Sequence, residues 1–161
     1  MIAAVYIVDA SSLLEIRSIC DGDESRAAAV FDTMFELARN NELGFPACVP
    51  AGCRSYDESN FAASWSTPTH ATLAVRSVAY SFQLDVLATS PGLLDADSSE
   101  EDQPQVELVA YALKFVNDGL RTTIVTEDVR PLPFREDVAT AAGRLGITVQ
   151  TMLEFMSDRG L

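Results

Sequence analysis

Two carboxylates in this sequence stand where chemistry is commonly done. Asp9 ends the run Val5-Tyr6-Ile7-Val8, and Asp128 follows Thr122-Thr123-Ile124-Val125-Thr126-Glu127. Both runs are apolar and rich in β-branched residues, the pattern of buried strands. A bare acid at the carboxyl end of a strand sits where open α/β sheets hold their ligands. If both strands belong to one parallel sheet, the two acids meet at one edge. Converging carboxylates make either a site for a hard divalent ion or an acid pair. Ser12 and Glu15 have the spacing of a capping box, which starts the next helix at Ser12 and leaves Asp9 free of capping. A single Asp after a strand is most often a turn former or cap. The matched pair is what points to function.

The remaining elements must place those acids. Residues 2–8 read as the first strand, and a short helix from Leu13 ends before Asp21-Gly22-Asp23. Asp23 or Ser25 caps a helix whose apolar positions Ala27, Val30, Phe31, Met34, Phe35 and Ala38 recur at helical spacing. Residues 43–49 form a weak second strand, interrupted by Gly44 and Pro46. Pro50 suits the first turn of the next helix, which would carry Tyr56, Asp57 and Glu58. Residues 65–68 read as a loop and 69–82 as helix. Residues 88–103, rich in Ser, Pro, Gly and acids, read as a long surface loop able to act as a lid or contact surface. Pro104 opens a strong helix over 105–117 closed by Gly119, and a strand over 122–126 follows. Pro131 and Pro133 hold off the next helix until Phe134. It runs to Arg144, and a strand over 147–150 and a helix over 152–158 close the chain. Strands alternating with helices predict an α/β fold: a three-layer α/β/α sandwich around a mostly parallel sheet of about four strands.

A chain of 161 residues suits one domain, 1–161, and 48% hydrophobic content excludes a disordered polymer. Eleven basic residues against 24 acidic ones give a net charge of −13, which argues against broad binding of nucleic acid through a basic face. It does not exclude a nuclease, because a bound divalent ion inverts the field of an acidic site. Lys114 is the only lysine, so phosphate contacts would fall to arginine. Arg121, Arg130 and Arg135 lie near Asp128 in sequence and suit either a phosphate clamp or simple charge balance. Cys20, Cys48 and Cys53 form no C-x-x-C pair and read as reduced, mostly buried thiols of a cytoplasmic protein. With His70 as the only histidine, a zinc site is disfavoured. No apolar run reaches transmembrane length. Trp65 suits packing four times better than base stacking, and the acids of 95–102 suit a solvated loop.

Taken together, the order of motifs resembles the PIN domain, the nuclease fold of VapC-type toxins. The resemblance rests on Tyr6-Ile7-Val8-Asp9-Ala10-Ser11-Ser12-Leu13-Leu14, on Leu108-Val109-Ala110-Tyr111-Ala112-Leu113, and on Ile124-Val125-Thr126-Glu127-Asp128 followed by Leu145-Gly146-Ile147-Thr148-Val149. It implies acids that hold Mg²⁺ or Mn²⁺ and hydrolyse RNA. Asp9 matches the family's first acid and Asp128 the acid of its threonine-x-aspartate motif, with Ser11 and Thr126 as the small polar residues that brace them. The family's acid before the long helix falls nearest Gln105. Asp102 serves that slot if the helix begins earlier, and Glu101 and Glu107 are rivals. Its Glu after the second strand falls nearest Asp57. The resemblance thus implies Asp9, Asp57, Asp102 and Asp128 as catalytic, with Asp9, Asp102 and Asp128 on the metal. The implied partners are an RNA substrate, an antitoxin protein and a second copy in a homodimer, with no membrane. The alternative is a degenerate, non-cleaving PIN-like module that binds protein. A receiver-type phosphoacceptor also clusters acids, but it needs a lysine at a strand end, and Lys114 falls within the long helix.

Overall fold

The computed structural model describes residues 3–57 and 59–161. The first apolar run forms β1 (Ala4–Val8), and the second forms β3 (Arg121–Val125). They pair in parallel along their whole length, with Ile7 opposite Ile124 and Val8 opposite Val125. β2 (Leu43–Gly44) flanks β1, and β4 (Thr148–Gln150) flanks β3. The order is β2-β1-β3-β4, all parallel. Parallel strands need crossovers, and helices supply them on both faces of the sheet. They are α1 (Ala10–Ile19), α2 (Glu24–Arg39), α3 (Cys48–Tyr56), α4 (Phe61–Thr72), α5 (Tyr80–Thr89), α6 (Pro104–Asn117), α7 (Val138–Arg144) and α8 (Met152–Asp158). The fold is therefore the expected α/β sandwich. Among the described residues no helix is long and apolar enough to cross a membrane.

The core centres on the two middle strands and α6. Ile7, Val8, Ile124 and Val125 are fully buried, and α6 packs on β1, β3, α3, α5 and α7. Val106, Leu108, Val109, Ala110, Tyr111, Ala112 and Leu113 are all buried, so α6 is covered almost all round. Each such large side chain contributes ~1.5–3 kcal/mol through burial. Gly44 is fixed by this packing: a Cβ there would lie 2.6 Å from Tyr111 Oη, which donates to Val75 O at 2.6 Å.

Several elements depart from the expected bounds. Residues 65–68 are helical, within α4, although Pro68 lies inside it. Proline removes one N–H there, but Pro68 and the carbonyl-bearing Ser64 one turn earlier are exposed, so water can serve the freed group. Asn60 caps this helix through Ala63 N at 2.7 Å, and Trp65 packs on Phe31 and Phe45 with ring centroids 5.3 and 5.9 Å away. The expected helix over 69–82 is split, since α4 stops at Thr72 and α5 starts at Tyr80. β2 covers two residues rather than seven. α7 starts four residues late, where Asp137 caps Thr140 N at 3.0 Å. Residue 2 of the first expected strand, and Glu58, lie outside the described residues.

Candidate functional site

Register decides what meets at the sheet edge. Val8 and Val125 are partners, so the residues after them stand level, and Asp9 N donates to Val125 O at 3.3 Å. There Thr126 Oγ1 donates to Asp9 Oδ2, and it accepts from Asp128 N at 3.0 Å. Ser11 Oγ reaches both carboxylate oxygens of Asp9, at 2.8 and 2.9 Å, and accepts from Glu127 N at 3.0 Å. One hydroxyl from the first turn of α1 and one from the segment after β3 therefore tie Asp9 to the Thr126–Asp128 segment.

Asp9 is not surplus to capping. It is the N-cap of α1: its Oδ1 accepts from Ser12 N at 2.8 Å, and Ser12, not Glu15, completes the reciprocal box. The S-x-x-E spacing misleads because the strand runs directly into the helix, and Asp9 is the first residue able to cap it. Three donors serve Asp9: Ser11 Oγ, Ser12 N and Thr126 Oγ1. A carboxylate offers about four acceptor sites, and because Ser11 Oγ bridges both oxygens all four are engaged, so an entering cation would share an oxygen with the Ser11 hydroxyl. Burial raises the Asp9 carboxyl above its ordinary value, and the bonds from Thr126, Ser12 and Ser11 oppose that rise.

Asp128 lies in different surroundings. Its Oδ2 pairs with Arg135 Nη2 at 2.9 Å, both side chains being mostly buried. Arg135 Nη1 donates to Glu136 O at 2.8 Å, and Leu132 and Arg135 bridge across a tight turn that aims the guanidinium inward. Between the acids lies Glu127, whose Oε1 accepts from Met152 N, the first amide of α8, at 2.9 Å. Burial raises its carboxyl, the Met152 amide opposes this, and Glu15, Asp9 and Glu154 add to the rise.

These residues share a pocket of about 360 Å³. Asp9, Ser11, Glu127, Asp128 and Arg135 line it together with Cys48, Gly52 and Gln105. Gln105 occupies the wall that the resemblance would give to an acid. It is 8% exposed, and its Nε2 donates to Leu93 O at 3.1 Å and Gln103 Oε1 at 2.6 Å. Those two acceptors fix the amide's orientation, and among the described residues no donor bonds Gln105 Oε1.

Asp102 and Asp57 do not join the pocket. Asp102 is exposed in the turn before α6, with its N–H on Ser99 O at 3.0 Å. Pro104 at the first helical position keeps α6 from starting early enough to recruit it. Asp57 follows the last turn of α3 and accepts from Ser59 N and Ser59 Oγ at 2.9 and 2.8 Å, which hold its carboxyl below the ordinary value. It lines a separate groove of about 1010 Å³ between α1, α2 and the α3–α4 corner. The face that α3 turns to Asp9 is Cys48, Val49 and Gly52, and a Cβ on Gly52 would lie 2.9 Å from Ala10 Cβ. Burial pushes the Cys48 thiol far up, with Glu107 and Asp9 adding to it, so Cys48 is an inert neighbour.

Arg121 is at the other end of β3, ~13 Å from Val125 at the usual strand rise. Arg130 is exposed, so of the three expected arginines Arg135 alone lines the pocket. Sequence reasoning gave Glu127 no role of its own and gave Arg135 no partner.

The donor set fits a hard divalent ion: two carboxylates and one amide oxygen, all hard oxygen donors. Among the described residues no three His, Cys, Asp or Glu side chains form a metal cage. An ion here would draw on Asp9 and Asp128 and complete its shell from neutral oxygens. No family model matches this sequence, and no curated protein matches it.

Proposed function

We propose that this protein is a metal-dependent endoribonuclease of the PIN-domain type. The observation that carries the reading is that Asp9 and Asp128 line one pocket, with Thr126 tying the Asp9 carboxylate to the backbone N–H of Asp128 across the carboxyl ends of adjacent strands. Asp9 and Asp128 would hold Mg²⁺ or Mn²⁺, Gln105 Oε1 would offer a neutral oxygen, and Ser11 and Thr126 would keep Asp9 in place. The bound ion would neutralise charge on a phosphodiester oxygen and acidify a water. Asp57 and Asp102 have no part in this site. The sequence resemblance supports extending the reading to a toxin with an antitoxin partner, acting as a homodimer in the cytoplasm.

A second reading, RNA binding without cleavage, is favoured by two observations: Gln105 stands where an acid is expected, and Arg135 already neutralises Asp128. Incubation of the protein with labelled single-stranded and structured RNA in Mn²⁺ separates the two. The nuclease reading predicts cleavage that falls at least about a hundredfold in Asp9→Asn and in Asp128→Asn. Retention of RNA without cleavage selects the second reading. Cleavage unchanged in both variants contradicts the site.

A further inference from the structure

Among the described residues Arg135 is the only basic one lining the pocket, and it holds Asp128 by one point of its fork. Nη2 meets Asp128 Oδ2, while Nη1 is engaged by Glu136 O. Among the described residues no side chain or amide bonds Asp128 Oδ1. The pair is thus half-made on both sides: the carboxylate has an open oxygen, and the guanidinium is not locked in the two-point geometry of its strongest pairings. Asp9, by contrast, is held by three uncharged donors that do not compete as cations.

We propose that Arg135 is an exchangeable counter-ion: a divalent cation and its guanidinium compete for Asp128, and the displaced guanidinium becomes the pocket's contact to an RNA phosphate. The inference rests on the metal-site reading above and adds a role for Arg135 that it lacks. Three carboxylates and one guanidinium line the pocket, so an anionic ligand is repelled until a cation enters. When the cation takes Asp128, Arg135 loses its partner beside that ion, where a phosphate would sit. Its Nη1 anchor on Glu136 O keeps the head within the pocket. Metal and phosphodiester then bind with positive coupling, through a group that swings between two partners. Arg135 is in this account a binding residue for phosphate and a brake on metal affinity.

The test is calorimetry with Mn²⁺ alone, and with a nuclease-resistant 2′-O-methyl oligoribonucleotide, on wild type, Arg135→Gln, Arg135→Lys and Asp9→Asn. The expected result for Arg135→Gln is Mn²⁺ affinity raised about threefold to fivefold, the upper part of what losing one ion pair converts to, together with loss of Mn²⁺-dependent oligonucleotide binding. Arg135→Lys keeps the charge but not the fork, so Mn²⁺ affinity stays within about twofold of wild type while oligonucleotide binding weakens. Mn²⁺ affinity equal or lower in Arg135→Gln overturns the exchange, as does oligonucleotide binding that survives the substitution. Should Arg135→Gln fail to fold, Arg135→Lys decides: oligonucleotide binding unchanged there overturns the proposal. Failure of the underlying reading looks different. Mn²⁺ binding absent from wild type and Arg135→Gln alike, or indifferent to Asp9→Asn, removes the metal site itself.

Discussion

Two concave regions of this molecule differ in a way that size conceals. The groove between α1, α2 and the α3–α4 corner is nearly three times larger than the strand-end pocket, at about 1010 against 360 Å³. Asp57, one of the four acids that line it, is satisfied within its own turn by Ser59. In the pocket, by contrast, Asp9 is held from α1 and from the segment after β3, so its position depends on the register of two strands. A carboxylate that also bonds a residue 117 positions away is fixed by the fold; one bonded only by a neighbour two residues on is fixed by a turn. Only the first kind can be aimed at a ligand with the precision catalysis demands.

Breaking the cross-chain link should have the largest effect. Thr126 is fully buried, and Thr126→Val keeps its shape while removing a donor to Asp9 and an acceptor for Asp128 N. Leaving buried polar groups unsatisfied costs about 1–3 kcal/mol each, so a loss of roughly 2–3 kcal/mol in denaturant unfolding is expected. A loss below about 0.5 kcal/mol would show that the link carries no load.

The next effect has the opposite sign. Asp9 is raised above its ordinary pKa by burial. A carboxyl raised in the folded state favours folding below its unfolded pKa, and that contribution disappears as pH rises through the folded value. Ionising Asp9 therefore opposes folding. Asn caps a helix as well as Asp does, so Asp9→Asn should gain stability over wild type as pH rises through the range in which Asp9 ionises. The advantage should shrink as pH falls through the carboxylate range and wild-type Asp9 takes up its proton. Thermal melts from pH 7 to pH 4 measure this. No gain of the variant over wild type between pH 4 and pH 7 would show that the hydrogen bonds outweigh burial.

The smallest effect belongs to the groove. Asp57→Ala removes an exposed turn acceptor and should change stability by no more than about 0.5 kcal/mol and leave Mn²⁺ binding untouched. An effect of Asp57 on metal affinity would break the separation between the two regions.

Much of the fold was legible because its signals are local. Apolar strands end in acids, Pro104 opens α6, and Gly119 and Gly146 adopt positive φ where helices give way to strands. Asp9 and Asp128 were legible as a pair because parallel strands place their carboxyl ends together. What stayed hidden needed three dimensions. Pro68 suggests a break, but an exposed helix face tolerates it. Asp57 and Asp102 have the right type near the right places, but spacing alone does not say which face of a helix turns to the pocket. Gly52 and Gln105 occupy those faces instead. The Asp128–Arg135 pair depends on a tight turn between two prolines and α7, which no periodicity announces.

The central claim is that Asp9 and Asp128 hold a divalent cation. Mn²⁺ titration by calorimetry on wild type and on Asp9→Asn tests it most directly, because Asn keeps the cap of α1 while removing the charge that the ion needs. The account predicts saturable wild-type binding that is lost in Asp9→Asn. Absence of binding at millimolar Mn²⁺, or equal binding by both proteins, would contradict it.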